Sequence, residues 1–98
     1  MKDNLKGVGI WGQRHYQYLK ETKPSVIGVM RMNGNLITYL QSVDEQANEI
    51  CFQLVKQLAK QESVTEELKR RDQMAWVGAM NNIRDRVNEI VLSEVIFV

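Results

Sequence analysis

Cysteine, histidine and proline each occur once in this sequence. A single cysteine, Cys51, rules out a disulfide within the chain and fits a reducing compartment. A single histidine, His15, with no cysteine beside it in sequence, leaves a zinc site without its usual ligands. No spacing brings Cys51 and His15 together as a nucleophile and its base. The lone Pro24 leaves the rest of the chain without the strongest helix breaker. No apolar run has the length of a membrane span, and no charged segment followed by an apolar one reads as a signal peptide. A cytoplasmic protein with no membrane contact and no small-molecule cofactor is expected.

Two long apolar periodicities are present. Leu36, Leu40, Val43, Ala47, Ile50, Leu54 and Leu58 recur at steps of three and four, close to a heptad, and Ile37, Cys51 and Val55 widen the stripe. Leu68, Trp76, Met80, Ile83, Val87 and Ile90 repeat the pattern, flanked by Ala75, Ala79 and Val91. Between the stripes, Ser63 with Glu66 fits a capping box, and Thr65 with Glu66 and Glu67 fits a cap with an acidic first turn. Either one starts a helix. The spacing predicts long helices over 35–61 and 64–95, and so short a connection makes them antiparallel neighbours. At 1.5 Å per residue they run roughly 40 and 45 Å, longer than the diameter of about 35 Å of a compact chain of this size. Two helices leave much of each stripe uncovered, and a homodimer is expected. Trp11, Leu40, Trp76, Met80, Ile83, Val87, Ile96 and Phe97 are its candidate interface or partner residues. The apolar ending Val95–Val98 either continues the last helix and docks or pairs as a strand.

The first third reads differently. Residues 1–8 are a loose lead-in. Gly7-Val8-Gly9-Ile10-Trp11-Gly12 matches G-x-G-x-x-G, but no strand precedes it and no βαβ unit follows, so a dinucleotide site is not expected. It reads as a flexible stretch from which Ile10 and Trp11 tuck into the bundle. Within 11–33, two short helices are predicted. Gln13–Thr22 ends before Pro24, and Ser25–Met32 ends at Asn33-Gly34-Asn35, where Gly34 closes one helix and Asn35 caps the next. The whole is one all-α domain, 1–98.

Net charge is +1, unevenly spread. Residues 1–35 carry six Lys/Arg against Asp3 and Glu21, and the rest carries seven against ten acidic residues. A basic end can meet phosphates. Arg14, His15, Lys20, Lys23 and Arg31 are the candidate DNA contacts. As a helix-turn-helix, Ser25–Met32 would be the recognition helix, yet only Arg31 and Asn33 can read a base edge. Packing of two short helices across the hairpin end is the plainer reading, and packing or hydrogen bonding is the first role for His15. Cys51 reads as an inert thiol on the apolar stripe. Asp44, Glu45, Asn48 and Glu49 read as a solvated face. Lys69-Arg70-Arg71 is matched by Glu66 and Glu67 at i, i+4. Asn81 and Asn82 place at least one amide at the stripe's edge, where it fixes register. No acid–base pair or nucleophile constellation is visible, so catalysis is not expected.

Gly9-Ile-Trp-Gly-Gln-Arg-His-Tyr-Gln-Tyr-Leu-Lys-Glu21 and Trp76-Val-Gly-Ala-Met-Asn-Asn-Ile-Arg-Asp-Arg-Val-Asn-Glu-Ile-Val91 resemble the family of transposon-encoded TnpV proteins. Leu36–Leu40 and Thr65–Lys69 extend the resemblance, which runs from about Gly9 to the end. The chain departs in its short start and in ending on Phe97-Val98. The resemblance implies a small cytoplasmic protein carried on mobile elements of Gram-positive bacteria, in a family likened to phage excisionases and bringing no catalytic residues. On that basis the expected function is a non-enzymatic accessory protein that binds DNA or a recombinase to modulate excision or transposition. The alternative is a helical module that inhibits or adapts a host or element protein.

Overall fold

The computed structural model describes residues 4–98, which form an all-α rod with no strand among them. Five α-helices follow in order: α1 (Ile10–Thr22), α2 (Pro24–Asn33), α3 (Leu36–Gln61), α4 (Glu66–Arg71) and α5 (Gln73–Val91). A π-helical turn, Leu92–Ile96, continues α5. The molecule measures 55 × 22 × 18 Å, with a radius of gyration of 17.1 Å against about 13 Å for a compact chain of this length.

The α3–α5 hairpin sets this shape. Its core is the two apolar stripes: Val43, Ala47, Met80, Ile83, Val87 and Val91 are buried in one cluster, closed by Trp11, Val64 and Ile96. A second cluster, Val8, Leu19, Ile27, Leu36 and Leu40, lies where α1 and α2 cross the start of α3. The apolar tail therefore docks as a helical turn, with Ile96 wholly buried. Burying each such side chain contributes about 1.5–3 kcal/mol.

Local signals set the ends. Pro24 opens α2 at its first position. Gly34, at φ +73°, closes it: the Gly34 and Asn35 amides donate to Arg31 and Met30 carbonyls at 3.2 and 3.1 Å. Asn35 makes no side-chain cap on α3, contrary to expectation. Thr65, not Ser63, caps α4, its hydroxyl accepting from the Leu68 amide at 3.3 Å. The helix expected to run unbroken over 64–95 is divided at Asp72. That residue leaves helical geometry (φ −149°, ψ 88°), and its carboxylate accepts from the Ala75 amide at 3.1 Å, starting α5 afresh. Glu62 and Arg86 join the hairpin turn to α5, with one guanidinium nitrogen 2.7 and 2.8 Å from the two carboxylate oxygens.

Residues 1–3 of the expected lead-in lie outside the described residues. Within the rest, the Val8 amide donates to the Leu5 carbonyl at 3.0 Å and Val8 is buried, while Asn4, Lys6 and Gly7 are exposed.

Candidate interaction surfaces

The glycine-rich stretch is a helix-docking device. Trp11 and Gly12 lie in the first turn of α1, and both of their amides donate to Asp44 Oδ1 of α3, at 3.0 and 3.1 Å. Asn48 donates to the other carboxylate oxygen at 3.2 Å. A carboxylate from a neighbouring helix thus satisfies two orphan amides at the positive end of α1. This contact needs the backbones close together. A Cβ on Gly12 would sit 2.6 Å from the Leu40 carbonyl oxygen, and one on Gly9 would strike the Asp44 carboxylate. Asp44, read from sequence as solvated, is a tertiary cap. Ile10, expected to tuck in, is 59% exposed; Trp11 alone is buried.

His15 is 3% exposed. Its Nδ1–H donates to the Ile96 carbonyl at 2.8 Å, since a carbonyl can only accept. In the neutral ring Nε2 then accepts the Tyr39 hydroxyl at 2.7 Å. Burial pushes the Tyr39 phenol above its usual range, so it stays a donor. With both nitrogens engaged, His15 is not placed to meet a phosphate; it ties α1, α3 and the C-terminal turn together.

The other candidate cations, Arg14, Lys20, Lys23 and Arg31, are exposed. Arg14 and Lys20 leave opposite edges of α1, six residues or about 120° apart. Arg14 lies over the Trp11 ring, 5.0 Å from its centroid. Arg31 borders a shallow depression with Asn4, Gly34, Leu36 and Ile37. The outward side of α2 carries Val26, Val29 and Met32, all exposed, where a recognition helix would carry polar readers.

Of the eight candidate interface residues, Trp11, Leu40, Met80, Ile83, Val87 and Ile96 are buried in the chain's own core. Of these, Trp11 and Val87 also floor an open groove between α3 and α5, while the other four line neither that groove nor the aromatic cleft. Trp76 is half-buried beneath Lys69, whose Nζ is 4.7 Å from the ring centroid. Phe97 is 49% exposed and leans on Tyr18 at 5.4 Å.

Two of the open grooves meet the Trp11–Arg14 stack, one bordered by Trp11 and the other by Arg14. The first, about 460 Å³, lies between α3 and α5, floored by Cys51, Val55, Val87 and Trp11 and rimmed by Phe52, Lys56, Arg84 and Asn88. Burial pushes the Cys51 thiol up, away from the reactive thiolate. The second, about 340 Å³, is an aromatic cleft between α1 and the C-terminal turn, lined by Arg14, Gln17, Tyr18, Glu21, Leu92 and Phe97. Phe52 is not marked by the helical periodicity, because it lies off the apolar stripe. An aromatic residue on an outward position was the available signal. Among the described residues no cluster of His, Cys, Asp and Glu is arranged to hold a metal, and no helix is long and apolar enough to cross a membrane.

The family described as transposon-encoded protein TnpV matches residues 1–96. The chain belongs to the TnpV family. This match takes in both long helices, the docking glycines, His15 and every lining residue of the first groove, and all of the second groove's lining but Phe97. No curated protein and no solved structure matches the chain.

Proposed function

We propose that the chain is a non-enzymatic accessory protein of a mobile element, acting by holding the element's recombinase through the aromatic cleft between α1 and the C-terminal turn. Membership of a transposon-encoded family supports the setting. The cleft itself supports a protein contact. Phe97 is large and exposed, Tyr18 and Leu92 continue the apolar lining, and Arg14 supplies a charge at the edge, the mix found in interface anchors. The absence of catalysis is supported by His15 having both nitrogens engaged and by the raised Cys51 thiol.

A titration of the chain against the recombinase of its own element tests this. Phe97→Asp is expected to weaken binding by about 30-fold or more, the scale of an anchor residue. Unchanged binding would remove the cleft from the contact.

The exposed cations of the first third support a second reading, DNA held through phosphates by Arg14, Lys20, Lys23 and Arg31. Gel shifts on element-end DNA over a salt series address it. Such binding falls steeply with salt, and no shift at low salt dismisses it.

A further inference from the structure

We propose that the groove between α3 and α5 seats a second copy of this chain, two hairpins closing side by side as a four-helix bundle. This surface is separate from the recombinase cleft, and the inference goes beyond that reading.

Burial changes abruptly along one helix. Leu36, Leu40, Val43 and Ala47, in the half of α3 crossed by α1 and α2, are buried. Ile50, Cys51, Leu54, Val55, Leu58 and Ala59 continue the same stripe but are only half-buried. Among the described residues α1 and α2 do not reach the outer half of the hairpin, where only short α4 packs near its end, and Phe52 stands 59% exposed at the groove's edge. On α5, Val77, Arg84 and Asn88 share a face at i, i+7 and i+11, so the groove has an apolar floor with a polar rim.

The exposed area matches what a second copy would cover. A compact monomer of 11.4 kDa exposes about 5,800 Å². This chain exposes 6853 Å², an excess of about 1,000 Å². A standard two-protein interface removes about 800 Å² from each partner. Pairing two copies through this groove therefore brings each chain back to ordinary exposure. A net charge of +1 sets up little repulsion between copies. Asn81, on the same face four residues after Val77, gives the paired hairpins a polar contact that fixes their register.

Sedimentation equilibrium over a concentration series tests the inference, with Phe52→Asp on the groove and Met32→Asp on α2 as the control. The wild-type chain and the α2 variant are expected to show twice the 11.4 kDa chain mass at high micromolar concentration. Phe52→Asp is expected to weaken association by at least about 30-fold while keeping its helical circular dichroism, since Phe52 is mostly exposed. If that variant loses helicity, maleimide labelling of wild-type Cys51 takes its place: the thiol lines the groove and should label more slowly as concentration rises. A wild-type chain that stays at 11.4 kDa throughout overturns the inference, as does a dimer broken by Met32→Asp and not by Phe52→Asp.

Discussion

Ser63 carries the one positive φ on a non-glycine residue among those described, +58°. It closes α3 as Gly34 closes α2: its amide donates to Lys60 at 3.3 Å, and the amide of buried Val64 donates to Ala59 at 2.8 Å. The left-handed conformation costs an L-residue about 1–2 kcal/mol, while glycine brings its own entropic cost of about 0.5–1 kcal/mol. Ser63→Gly is therefore expected to raise stability by about 0.5–1 kcal/mol in urea melts. Beside it, the hydrogen bond from Arg86 holds the Glu62 carboxyl below the usual glutamate range. A lowered folded-state value contributes stability above the unfolded value and loses it as pH falls through the folded one. The melting difference between wild type and Arg86→Met should therefore be constant near neutrality and shrink in acid. Both groups are exposed, so the difference is small, and high salt should also reduce it.

At the scale of elements, α1 is held by two contacts that sequence spacing could not display. Asp44 lies 33 positions from the Trp11 amide and His15 lies 81 from the Ile96 carbonyl. Asp44→Ala is expected to cost about 1–2 kcal/mol, as loss of a helix cap does, and Gly12→Ala about 2 kcal/mol, because backbone stands in the way. Thermal melts measure both. His15→Leu leaves the Ile96 carbonyl without its buried donor. Hydrogen exchange should then speed up across Leu92–Val98 well before global unfolding. The long stripes were legible because burial of one helix face leaves a period in the sequence. The break at Asp72 was not, because an outward aspartate fits an amphipathic helix as readily as it fits a cap. Thr65 upstream already accounted for a helix start. The strongest apolar side chains, the natural candidates for an interface, are also the ones a chain buries first within itself.

At the scale of the whole molecule, stability is graded along the rod. Amides in the halves of α3 and α5 beside α1 should exchange most slowly, and those of α4 and the outer ends of the hairpin fastest, in the single-chain form of the protein. The elongation was legible from helix length alone, and the 17.1 Å radius agrees with it. Which side faces outward was not, because it depends on where α1 crosses. The Asp44 bridge also bears on what the glycine-rich turn can recruit. Free amides at a helix start attract phosphate, but here an intramolecular anion already fills the seat. A nucleotide would have to evict a tethered rival whose local concentration is at least millimolar. The turn that looks most like a nucleotide cradle is thus the part of the surface best defended against one.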